Sequence, residues 1–106
     1  MSKVIAFPVP EMPPPTRQEL LARVRALVLL PDRMHMDEPH FRLRLWQRKV
    51  SMRQVLEVIK SGEVTDGPRL DEYGDWRIKI VRKVAGRRVQ VVVAVSETYF
   101  TPVTVI

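Results

Sequence analysis

The period of the hydrophobic pattern changes at Gly62, from about four residues before it to two after it, and this divides the chain into a helical half and a strand half. Thr16 with Glu19 three residues later is a capping-box signature. Leu20, Leu21, Val24, Leu27 and Val28 follow at helical spacing, which predicts a helix over 17–30 that stops at Pro31. A second helix is predicted over 39–48, capped by Asp37 or Glu38, with Pro39 in its first turn. Ser51 and Gln54 make another capping box ahead of an apolar stripe of Met52, Val55, Leu56 and Ile59. Gly62 is expected to close this third helix in the left-handed conformation.

Beyond Gly62, residues 63–65 read as a short strand and 66–75 as a loop. Trp76, Ile78 and Ile80 alternate with Arg77 and Lys79, and Val89, Val91, Val93 and Val95 form the matching strand across a tight turn at 85–87. A last strand over about 98–105 should place Tyr99, Thr101, Val103 and Val105 on one face and Phe100, Pro102 and Thr104 on the other. Pro102, which lacks an N–H, requires an edge or a bulge there. The predicted fold class is α+β, with N-terminal helices packed on one face of a three- to four-stranded antiparallel sheet. Residues 16–106 form the single domain. Pro8, Pro10 and Pro13 to Pro15 mark 1–15 as an extended arm in which Val4, Ile5 and Phe7 either pair with a partner or fray.

Composition removes several functions. With no cysteine there are no disulfides, zinc thiolates or thiol nucleophiles, and the expected location is the cytoplasm. No apolar run reaches the roughly 20 residues of a membrane-spanning helix, and the apolar stretch ended by Pro8 is too short for a signal peptide. His35, Asp37, Glu38 and His40 do not complete a metal shell, no glycine-rich phosphate loop is present, and no cofactor is implied. The net charge of +6 points instead to an anionic partner. Arg77, Lys79, Arg82, Lys83, Arg87 and Arg88 follow one another without an intervening acid. Of these, Arg77, Lys79, Arg82 and Lys83, with Trp76 and Tyr99 nearby, are candidates to follow a phosphate backbone while a ring stacks on a base.

The second helix carries the other candidate site, in HFRLRLWQRKVS. His40, Arg44 and Gln47 share one stripe, and Arg48 turns toward Phe41 and Leu45. Leu43 and Trp46 occupy the opposite flank, so packing on both flanks should leave the stripe in a crevice.

His40, Arg44-Leu45, Arg48, Val50 and Ser51, together with Ile59, Gly62-Glu63, the valine-rich strand and Val103-Thr104-Val105, resemble the domain of unknown function 4258 family over 38–106. Gln47 stands where that family commonly has Glu. The family is similar to the RelE, ParE and BrnT toxin-like superfamily, and the resemblance implies a RelE-like fold and an RNA-directed, toxin-like protein. In its enzymatic form this is a metal-independent endoribonuclease. His40, Arg44 and Arg48 would then form the basic site, with Thr104 or Tyr99 contributed by the last strand. A cognate antitoxin or a second copy is the implied protein partner. Two other readings stay open: a non-catalytic module for nucleic acid or an acidic protein, and a homo-oligomeric interaction protein.

Overall fold

The computed structural model describes residues 13–36 and 38–106. Among them are three helices, α1 (Arg17–Val28), α2 (Glu38–Arg48) and α3 (Met52–Ser61). Four strands follow, β1 (Glu63–Leu70), β2 (Trp76–Val84), β3 (Arg87–Val95) and β4 (Phe100–Val105). They pair antiparallel in the order β1-β2-β3-β4, so the chain is an α+β fold with a meander sheet. No helix among the described residues is long and apolar enough to cross a membrane. The expected roles of Val4, Ile5 and Phe7, and of Asp37 as a cap, fall outside the described residues; Glu38 is the first residue of α2.

Both capping boxes close as their sequence predicts. Thr16 Oγ1 accepts from the Glu19 N–H at 3.1 Å and the Thr16 N–H donates to Glu19 Oε1 at 2.7 Å. Ser51 and Gln54 repeat this at 3.1 and 3.0 Å. α1 ends at Val28, short of the expected 30, because Leu30 precedes Pro31 and a residue before proline is held out of the helical region. α2 ends in a Schellman motif: the Val50 N–H bonds the Leu45 carbonyl at 3.0 Å and the Lys49 N–H bonds the Trp46 carbonyl at 3.2 Å, with Lys49 left-handed at φ 56°. The buried Val50 and the core-facing Leu45 supply its hydrophobic contact.

Gly62 closes α3 for a different reason from the one expected. Its backbone is extended, at φ −83° and ψ −177°. A Cβ there would lie 2.6 Å from the Val58 carbonyl and 2.7 Å from that of Val81, so only glycine lets the helix end meet the sheet this closely. β1 is also longer than expected and runs through half of the predicted loop. Irregular register around Asp66 to Arg69 accommodates Gly67 (φ 95°) and the cis Gly67-Pro68 bond, and Arg17 Nε donates to the Gly67 carbonyl at 2.7 Å. This strand is an edge, where a proline costs no ladder bond.

Strand parity sets the two faces. Ile78, Ile80, Val89, Val91, Val93, Val95, Phe100 and Val105 point to the helices and bury against Leu20, Val24, Phe41, Val55, Val58 and Ile59. Each such side chain contributes about 1.5–3 kcal/mol when fully removed from water. The predicted alternation of the last strand is broken by a bulge: Val93 pairs with Pro102 but Val92 pairs with Thr104. Phe100, Pro102 and Val105 therefore face inward and Thr101 and Thr104 outward.

The β2-β3 hairpin turns on Ala85-Gly86, both at positive φ (52° and 80°) between the paired Val84 and Arg87. This is a type I′ geometry, which an alanine Cβ opposes. Replacing Ala85 by Asn or Gly is expected to stabilise the fold by about 0.5–1 kcal/mol, read as a higher midpoint in urea unfolding with an unchanged m-value, while Ala85→Val should lower the midpoint.

Candidate functional site

α2 lies along β4, and its buried Phe41 and core-facing Leu45 anchor it. Because residues 33–35 pair with the start of β4 through the His35 N–H to the Phe100 carbonyl (2.8 Å) and the Phe100 N–H to the Arg33 carbonyl (2.9 Å), α2 starts at that end of the sheet. It finishes at the hairpin end, where Arg87 Nη2 donates to the carbonyls of Arg48 (2.6 Å) and Lys49 (2.9 Å). His40 and Arg48 are exposed and Arg44 half-buried, and none of the three side chains has a hydrogen-bond or ion-pair partner among the described residues. Four residues of helix rise about 6 Å, so the three groups form a row about 12 Å long. The row is not in a crevice. Leu43 and Trp46, expected to pack on a second neighbour, are 51% and 80% exposed, so among the described residues α2 is packed on one flank.

The strand cations divide between the faces, and Arg77, Arg82 and Arg87 are engaged. Arg82 points to the helix side, where Nη1 donates to the Ser61 carbonyl at 3.2 Å and Nε stands 3.8 Å from Glu57. Arg87 is bonded to the end of α2, as described above. Arg77 faces outward but its Nε pairs with Asp71 at 3.0 Å. Lys79 shares that outer face opposite Asp66 in the register. Lys83 and Arg88 are cross-strand partners, exposed and unbonded among the described residues. The run that contains no acid in sequence thus meets acids from the β1-β2 loop and α3. Trp76 leans on the core at the other end of β2 from Lys83, some 23 Å away at 3.3 Å per residue, so it does not share a surface with it.

Of the two candidates from the last strand, Thr104 is not assembled with the row. Thr104 points to the outer face beside Val92, away from the core that Phe41 enters, and its Oγ1 is buried without a partner. Tyr99 precedes β4, in a turn tied by Ser96 Oγ, which accepts from the Tyr99 N–H at 3.1 Å. Its ring stacks on His35 at 4.2 Å between centroids and 12° between planes. His35 escaped sequence reasoning because its neighbour is 64 residues away in the chain. Lys49 and Arg53 escaped it too, although the three-residue link between α2 and α3 signals a tight junction.

The fold and its row of unengaged cations define a small α+β domain that offers a basic helix and helix junction to solvent. The chain belongs to the family described as domain of unknown function (DUF4258), whose model matches residues 38–106, from the start of α2 to the end of β4. No curated protein and no solved structure matches the chain.

Asp71 organises the loop that neutralises Arg77. Its Oδ1 accepts from the N–H groups of Tyr73 (2.9 Å) and Asp75 (3.0 Å). Burial raises the pKa of this carboxyl, which is only 9% exposed, but the Asp75 N–H, the Arg77 guanidinium and the Tyr73 N–H together hold it below the usual carboxylate range. A carboxyl whose folded pKa is depressed contributes stability above the unfolded value and loses it as pH falls through the folded one. Asp71→Asn is expected to lower stability at pH 7 by about 1–2 kcal/mol, and the gap between variant and wild-type melting temperatures should close as pH falls below about 4. A gap independent of pH would show that the Asp71 charge contributes nothing.

Proposed function

We propose that the chain is an RNA-directed protein of the toxin-like class that holds phosphates along the row of His40, Arg44 and Arg48. The observation that carries this reading is that Arg44 and Arg48 stand without partners among the described residues on a rigid helix, whereas Arg77, Arg82 and Arg87 are taken up by Asp71, Glu57 and the end of α2. Guanidinium groups present fork-shaped donors that match phosphate oxygens, and a polyanion gains from every unpaired cation it meets. The resemblance of the α2 motif to RelE-like proteins supports the same reading. The basic outer sheet face supports the reading less, because Arg77 there is already paired with Asp71.

Metal-independent cleavage is the second form of this reading, favoured by one feature: His40 lies one helical turn from Arg44, with its ring open to solvent. His40 would take the 2′-hydroxyl proton, O2′ would bond to phosphorus, and the P–O5′ bond would break as water protonates the leaving oxygen. The products are a 2′,3′-cyclic phosphate and a 5′-hydroxyl. Arg44 and Arg48 would stabilise the charge gathering on the phosphorane. No protein group orients the His40 ring among the described residues, so RNA itself must do so.

Binding to a single-stranded RNA should fall steeply with salt, and a double Arg44→Ala, Arg48→Ala variant should reduce the log–log slope by about 1.4, the value for two phosphates. An unchanged slope would overturn the reading. Cleavage in chelator should disappear in His40→Ala while binding persists; intact RNA with the wild type would leave binding alone.

A further inference from the structure

We infer that the α2-α3 junction is a base-stacking site in which an unpaired nucleobase lies on the indole of Trp46 while Arg48, Lys49 and Arg53 hold the flanking phosphates. This deepens the RNA reading and rests on it. Trp46 is the largest side chain of α2 and is 80% exposed, so it contributes almost nothing to the core. Beside it is a hollow of about 660 Å³ lined by Trp46, Gln47, Lys49, Val50, Ser51 and Gln54. That volume holds a nucleobase with room for its sugar.

The junction is held rigid from three directions. The Schellman bonds of Lys49 and Val50 end α2, the Ser51-Gln54 box starts α3, and Arg87 pins the carbonyls of Arg48 and Lys49 from the sheet. A ring on such a platform loses little freedom when a base stacks on it. The capping box uses Gln54 Oε1, which leaves the amide NH₂ of Gln54 for a base edge, and Gln47 is exposed with its whole amide available.

Charge selects the occupant. The side chains of Arg48, Lys49 and Arg53 are without partners among the described residues, and no acid lines this hollow. A neighbouring hollow of about 270 Å³ shares Gln54 and brings in Arg53, Lys83 and Arg82, the last of these 3.8 Å from Glu57. Lys49 and Arg53, whose hollows meet at Gln54, therefore form a short track of unpaired cations beside Trp46. Such a track with an exposed ring beside it matches single-stranded nucleic acid, whose bases are free to stack, and not a duplex, whose bases are already stacked on each other.

The test compares a 12-nucleotide single-stranded RNA with an RNA duplex of the same length, by fluorescence anisotropy at one fixed salt concentration. Trp46→Ala should weaken single-strand binding roughly 5- to 150-fold and leave duplex binding unchanged, while Trp46→Phe should keep most of the affinity. Circular dichroism should show the fold intact in both variants, since the side chain is exposed. Equal losses for single strand and duplex would overturn the stacking site. So would unchanged single-strand binding in Trp46→Ala alongside a loss in the Arg44→Ala, Arg48→Ala variant, which would leave RNA binding standing without it. A Trp46→Ala variant that retains RNA affinity but changes the oligomeric mass would assign this surface to a protein contact instead. If the wild type binds neither RNA at low salt, the RNA reading itself fails.

Discussion

One-sided burial of the β2-β3 hairpin governs the rest of the structure. Ile78 and Ile80 on one strand, and Val89, Val91, Val93 and Val95 on the other, must all face the helices, and a register slip of one residue would expose every one of them. That single requirement also decides where the charges go. The parity that buries the isoleucines and valines sends Arg82 and Arg87 to the helix side, where the core ends, and Arg77, Lys79, Lys83 and Arg88 to the other. Arg82 and Arg87 then reach α3 and the end of α2 and fasten the helices to the sheet. Cations that look like a binding surface in sequence thus serve partly as structural ties.

The consequence for the site is a division of labour. Arg77, Arg82 and Arg87 of the strands are neutralised or bonded, whereas Arg44, Arg48, Lys49 and Arg53 have no partner among the described residues. Burying a cation away from an acid is costly, so an arginine at the margin of a core finds a carbonyl or carboxylate, as Arg25 does at the Ile59 and Gly62 carbonyls (3.1 and 2.6 Å). Arg44 and Arg48 on α2 have no such requirement, and their side chains are without partners among the described residues.

Much of the architecture was legible beforehand because its causes are local. Thr16 with Glu19 and Ser51 with Gln54 set two helix starts through bonds spanning three residues, and Val89 to Val95 alternate plainly. The failures share a different character. Gly62 looked like a left-handed cap, but its need for glycine arises from the carbonyls of Val58, in the helix it ends, and of Val81, nineteen residues away on the sheet. The bulge that turns Thr104 outward depends on how β4 docks against β3, and the exposure of Trp46 depends on no second element covering α2.

Sequence by itself determined the division at Gly62, the α+β class, the capped helices and the apolar face of the central hairpin, since periodicity and capping act within a few residues. It also determined the positive charge. Only the tertiary structure decided which cations are engaged, because Asp71 and Glu57 meet Arg77 and Arg82 through the loop geometry and helix docking. It likewise decided that Thr104 faces away from α2, and that Trp46 is exposed. Those outcomes follow from the placement of whole elements against one another, which residue spacing along a single helix or strand does not encode.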